Sequence, residues 1–150
     1  MDFTAMLDTH SNDVQKPKVQ PQGTYAWTVT KYVMSSVSSA KGDWDVVEFK
    51  IRAVRAEDDV DPDQLEEFGD LKMAMNRVSF MFSKATDAEN ERVAALAKLN
   101  KFLLETLGIE PASVREMCAQ AVNCQFLGRS VWRVVGDDTY IDIRDMMPLD

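Results

Sequence analysis

The chain has 150 residues, of which 45% are hydrophobic, and two cysteines, Cys118 and Cys124. That is enough apolar material for one packed domain and too little cysteine for a disulfide framework, so both thiols are expected reduced in or beside a core helix. No apolar run approaches the ~20 residues a membrane-spanning helix needs, and nothing resembles a signal peptide, which points to the cytoplasm.

The formal net charge of -8 and pI near 4.7 argue against a general phosphate binder. The excess is local, however. Between Arg55 and Lys72 stand eight acidic residues (Glu57, Asp58, Asp59, Asp61, Asp63, Glu66, Glu67 and Asp70) and no basic one; without them, 17 acidic residues balance 17 basic ones. A basic face elsewhere on the domain remains compatible with that balance.

Residues 1 to 22 show no period and carry Pro17 and Pro21, so an extended N-terminal arm is expected, with Lys16 and Lys18 as its only cations. Met1-Asp2-Phe3 and Met6-Leu7 could form a short helical turn. A single domain is expected over 23–150. Alternation begins at Thr24 and runs to Val33, with Tyr25, Trp27, Val29 and Val33 on one face and Thr28, Thr30 and Tyr32 on the other. Ser35 to Gly42 reads as a small-residue loop carrying Lys41. A second strand runs from Trp44 to Val54, with Val47, Phe49, Ile51 and Ala53 inward and Trp44, Glu48, Lys50 and Arg52 outward. The acidic insert holds a short helix: Asp61 as N-cap, Pro62 in the first turn, Gln64 completing a capping box and Gly69 ending it, with Leu65 and Phe68 as anchors.

The third strand is expected from Arg77 to Ser83, with Val78, Phe80 and Phe82 inward and Arg77, Ser79 and Met81 outward. Thr86-Asp87-Ala88-Glu89 reads as a capping box opening a long helix whose stripe is Val93, Leu96, Leu99, Leu103 and Leu107, ended by Gly108. A second helix starts at Pro111 and buries Val114, Met117, Cys118 and Ala121. Arg129–Val135 and Thr139–Arg144 form a hairpin about Gly136-Asp137-Asp138, with Trp132, Val134, Ile141 and Ile143 available to the core. The tail from Asp145 is too short for another element.

Three strands, two helices and two strands is the element order of an OB-type five-stranded barrel, here with a helical pair between strands three and four and an acidic insert between strands two and three. The expected class is therefore α+β, mainly β. No catalytic constellation competes. His10 is the single histidine, the cysteines lack metal-ligand spacing, and the glycines form no phosphate loop. Asp59, Asp61 and Asp63 mimic the start of a calcium loop, but Gln64 and Asp70 fall where such a loop needs glycine and glutamate. No enzyme activity, cofactor or metal is expected.

What remains is a surface. The outer faces of the first three strands combine Tyr32 and Trp44 with Lys50, Arg52 and Arg77, and Lys41 follows in the adjoining loop; Lys31 and Lys72 extend the track. Aromatic platforms for bases and cations for phosphates are what a single nucleic-acid strand requires.

The run Pro21-Gln22-Gly23-Thr24-Tyr25, the helix end Leu103-Leu104-Glu105-Thr106-Leu107-Gly108-Ile109 and the late Leu127-Gly128-Arg129-Ser130-Val131 resemble a family of small phage proteins found near replication and recombination genes. The resemblance covers residues 21 to 145. It implies non-catalytic binding of single-stranded DNA in phage replication or recombination, in the host cytoplasm, with replication or recombination proteins as further partners through the acidic insert. The competing expectation is an acidic protein-interaction module that modulates a nucleic-acid enzyme or host defence protein, and a third is a virion assembly protein. Exposed strand edges leave homo-oligomerisation open.

Overall fold

The computed structural model describes residues 2–14 and 18–149. Lys16 and Pro17, expected in the arm, lie outside the described residues. The elements are α1 (Phe3–Leu7), β1 (Gly23–Ser39), β2 (Gly42–Ala56), α2 (Pro62–Phe68), β3 (Met75–Ser83), α3 (Glu89–Lys101), α4 (Val114–Gln120), β4 (Gln125–Val135) and β5 (Asp138–Pro148). The fold is α+β and mainly β: one antiparallel sheet of five strands in the order β3-β2-β1-β4-β5. The helical pair does fall between β3 and β4, and the acidic insert between β2 and β3. No described helix is long and apolar enough to cross a membrane.

The core fills one face of this sheet. Tyr25, Trp27 and Val29 of β1, Phe49, Ile51 and Ala53 of β2, Val78 of β3 and Phe126 of β4 are buried there, closed over by Leu99, Phe102 and Leu103, by Met117 and Cys118 of α4 and by its C-cap Ala121. The buried polar tips are satisfied: Tyr25 Oη donates to the Pro21 carbonyl at 2.7 Å and Trp27 Nε1 to the Gly128 carbonyl at 3.1 Å. After α3 the chain widens into a π turn over Phe102–Thr106, with the Leu107 amide bonding back to the Phe102 carbonyl at 3.0 Å. The extra residue per turn lets Phe102, Leu103 and Thr106 all face inward. Phe102 then meets Phe49, Phe80 and Phe126 at ring separations of 5.4, 5.5 and 5.6 Å.

Several elements differ from expectation, each for a local reason. Ser35 to Ser39 is strand, not loop, because β2 pairs with it through Ser39↔Gly42; the ladder supplies what the serines' own propensity does not. A register shift between Val29 and Lys31 leaves Thr30 unopposed. Such a bulge reverses the alternation, so Val33 turns outward and Tyr32 inward, onto Phe49 at 6.4 Å. Helix α3 starts at Glu89 without a side-chain cap, and its first half packs through Ala88, Arg92 and Ala95 rather than through the expected stripe: Val93 and Leu96 are 61% and 46% exposed. Helix α4 starts at Val114, where Ser113 Oγ accepts the Glu116 amide at 3.2 Å, three residues after the expected Pro111. The tail continues as β5 to Pro148. Trp132 and Val134 lie outside the core, the former 38% exposed and fastened by Nε1 to the Gln20 carbonyl at 2.8 Å.

The insert is a lid over one end of the sheet. Leu65, Phe68 and Leu71 pack against the core, while Asp61 caps α2 and Asp70 caps the 3₁₀ turn Leu71–Met73. Asp59 is a clamp: its two oxygens accept the Thr24 amide and hydroxyl, both at 2.8 Å. Those hydrogen bonds, led by the backbone one, hold its carboxyl below the usual range despite the opposing cost of desolvation. Gly23 sits beneath with φ +136°, and a Cβ there would stand 2.5 Å from Val60 Cγ2, so only glycine lets β1 start against the insert. The segment read as an arm is thus tied down from Lys18 onward, where Lys18 Nζ donates to the Glu67 carbonyl at 2.8 Å. Helix α1 makes no such contact; Phe3, Met6 and Leu7 are exposed.

Candidate nucleic-acid interface

The sheet face turned away from the core is assembled from β1, β2 and β3, and register decides which side chains meet on it. Lys31 stands opposite Lys50, and Lys50 opposite Arg77, placing three cations in one row across three strands. The next row holds Thr28, Arg52 and Met75. In the other direction follow Val33, Glu48 and Ser79, then Ser35, Val46 and Met81, then Val37, Trp44 and Ser83. The face therefore grades from cationic to apolar along the strands.

Neutralisation is sparse. Glu48 Oε1 lies 3.2 Å from Arg77 Nη1 and is the one carboxylate paired with this row among the described residues. Lys31 and Lys50 are exposed and carry no ion pair there. Like charges directly opposed on neighbouring strands are destabilising, by a few tenths of a kcal/mol to ~1 kcal/mol. The insert does not relieve them: its described ion pair joins Glu57 to Arg55 at 2.8 Å, and Asp59, Asp61 and Asp70 are committed to backbone donors.

Of the six expected site residues, Lys50, Arg52 and Arg77 come together and Trp44 shares their face. Trp44 is half-buried, its ring folded back over Gly42 with Cη2 3.6 Å from where a Cβ would stand. It lies six residues from Lys50, roughly 20 Å along an extended strand. Lys41 is in the β1–β2 turn, roughly 30 Å from the cation row on the same reckoning. Tyr32 is a correction: the bulge at Thr30 turns it to the inner side, where it packs on the core and not on the outer face. Lys31, by contrast, becomes a member of the central row. Nothing in the composition marks that position; it follows from the bulge alone.

Among the described residues no three His, Cys, Asp or Glu side chains converge as a metal site would need. Burial pushes both thiols up, and Cys124 Sγ is engaged with the Gln120 carbonyl at 3.4 Å. No family model matches this chain, and no curated protein matches it either.

Proposed function

We propose that the outer face of β1–β3 binds single-stranded nucleic acid without catalysis. The observation that carries this reading is the row Lys31–Lys50–Arg77, flanked by Arg52, in which Arg77 alone has a carboxylate partner among the described residues: the fold bears the repulsion of opposed cations, and phosphates would remove it. The apolar side chains beyond Glu48, namely Met81, Val37 and Trp44, offer bases a place out of water. We further read the sheet as an OB-like barrel. Its order leaves β3 and β5 as the two edges, and Asn76 Nδ2 reaches the Ile141 carbonyl at 3.0 Å across the gap. In that fold the face of strands two and three and the loop between strands one and two take oligonucleotides, which here would recruit the row and Lys41. Single-stranded DNA in phage replication or recombination is the setting the sequence resemblance favours.

The separation of Trp44 from the cations sets the test. Labelled oligonucleotides of three and of twelve or more nucleotides are titrated at low and moderate salt, following anisotropy and tryptophan fluorescence. The longer strand is expected to bind, to weaken with salt and to change the Trp44 signal, whereas the trimer reaches the cations alone. Trp44→Ala should weaken the longer strand by about 1–3 kcal/mol. A Lys50→Glu/Arg52→Glu protein that is folded and binds as wild type removes the face from consideration. Duplex bound as tightly as single strand removes the single-strand reading.

A further inference from the structure

A groove of about 610 Å³ opens where the edge strands β3 and β5 come together. Phe68, Met73, Met75, Tyr140 and Ile141 line it. Met73 and Met75 are 72% and 70% exposed, soft apolar side chains able to mould to a partner. One wall is the edge of β5, which pairs with no further strand among the described residues. The Ile141 carbonyl accepts from Asn76 across the gap, and the amide of Trp132, its neighbour in the β4–β5 ladder, donates to Gln22 Oε1 at 2.9 Å. Trp132 and Ile141 thus do not bond to each other, and Ile141 directs its main-chain groups into the groove. Alternation gives Thr139 the same direction. Among the described residues, neither Thr139 nor the Ile141 amide has a backbone partner outside the ladder.

The groove has one apolar and one acidic wall. On one side the insert presents Phe68, Met73 and Ala74, with Glu67 lining the adjoining pocket; on the other is the β4–β5 turn, with Asp138 exposed. The cation at its mouth, Lys18, is held by the Glu67 carbonyl.

We propose that this groove takes an extended peptide in which apolar and basic residues alternate, added as a short strand to the Thr139–Ile141 edge. Main-chain hydrogen bonds would give affinity; alternate side chains would reach Met73 and Met75 in one direction and Asp138 in the other. The site is distinct from the nucleic-acid face, which it meets only at Met75, opposite Arg52.

The test uses the full chain, labelled with ¹⁵N, titrated with an acetylated hexapeptide alternating valine and lysine and with its valine–glutamate counterpart. The expected result is saturable shifts of the Thr139 and Ile141 amides with the lysine peptide alone, while Lys31 and Lys50 stay unmoved. Thr139→Pro should reduce affinity at least tenfold, and Asp138→Lys several-fold at low salt. Should Thr139→Pro not fold, Met73→Asp serves in its place. Equal binding of the glutamate peptide overturns the proposal, as do shifts confined to other surfaces. So does protection of the Thr139 and Ile141 amides from exchange in the unliganded protein, which would mean that the edge is already covered.

Discussion

Gly23→Ala tests whether the insert is locked to the start of β1 by shape. At φ +136° an alanine is held in a backbone region that costs about 1–3 kcal/mol. Its Cβ would also meet Val60 Cγ2 at 2.5 Å, and Val60 is buried and cannot swing aside freely. Overpacking of that kind adds about 1–3 kcal/mol. A total near 3 kcal/mol, against the ~5–15 kcal/mol typical of a domain, would lower a urea midpoint by roughly 1.5 M for a slope of about 2 kcal/mol/M. Val60→Ala separates the two contributions. Alone it should cost about 2 kcal/mol in lost burial and cavity; combined with Gly23→Ala it relieves the Cγ2 clash but neither the dihedral strain nor the backbone approaches of 3.1 Å to Val60 Cα and 3.2 Å to the Asp59 carbonyl, so the pair should couple favourably by about 1 kcal/mol or more. Equilibrium urea unfolding of the four proteins measures this. A Gly23→Ala protein within about 0.5 kcal/mol of wild type, or single effects that simply add, would refute the argument.

Asp59 makes acid stability specific. Because its carboxyl is held below the ordinary 3.8 in the folded chain, its contribution is complete above that value and is lost as pH falls through the depressed one. The stability gap between wild type and Asp59→Asn should therefore be widest near neutral pH and shrink below 3.8 in urea titrations at each pH. Burial pushes the Tyr25 phenol up to about 12, so in absorbance titration one of the three tyrosines should ionise late, with concurrent unfolding, and Tyr25→Phe should abolish that phase. The sign is that of a raised acid: the contribution is intact below about 10 and lost as pH rises toward 12. Phe102→Ala, which empties the meeting point of three other phenylalanine rings, should cost about 3–5 kcal/mol by the same unfolding assay.

What the sequence made legible was set by side chains with one strong preference. Tyr25, Trp27 and Val29, and likewise Phe49, Ile51 and Ala53, fall at alternate positions and are buried in the core, although Ala26 between the first two is buried as well. Asp61-Pro62 and Gly69 bound α2 as capping chemistry requires. Misreadings arose where the backbone, or a distant partner, decides. A bulge at Thr30 has no composition signal, yet it exchanges Tyr32 for Val33 on the outer face and brings Lys31 beside Lys50. Ser35 to Ser39 become strand through β2, and the tail becomes strand through β4, with Arg129 Nη2 on Asp145 Oδ2 at 2.7 Å where Asp145 adopts φ +52°. Val93 and Leu96 fit the helical period but lie off the face by which α3 packs, which runs instead through Ala88, Arg92, Ala95 and Leu99. The cations Lys50, Arg52 and Arg77 were legible as a group because they alternate with core residues on their own strands.

Strand β1 is the hinge of chain synthesis as well as of the sheet. Its first residues are bonded on both sides, to β2 and to β4, and the residues leading into it are fastened to Trp132, which lies 110 positions after Gln22. A nascent chain can zip β1, β2 and β3 together early, but the other flank of β1 stays open until β4 leaves the ribosome, with Trp27 waiting for the Gly128 carbonyl. Closure of so long a loop before any reward belongs to the slow end of folding, milliseconds to seconds. The half-finished sheet, with one edge of its central strand bare, is the species most prone to pair with another copy of itself.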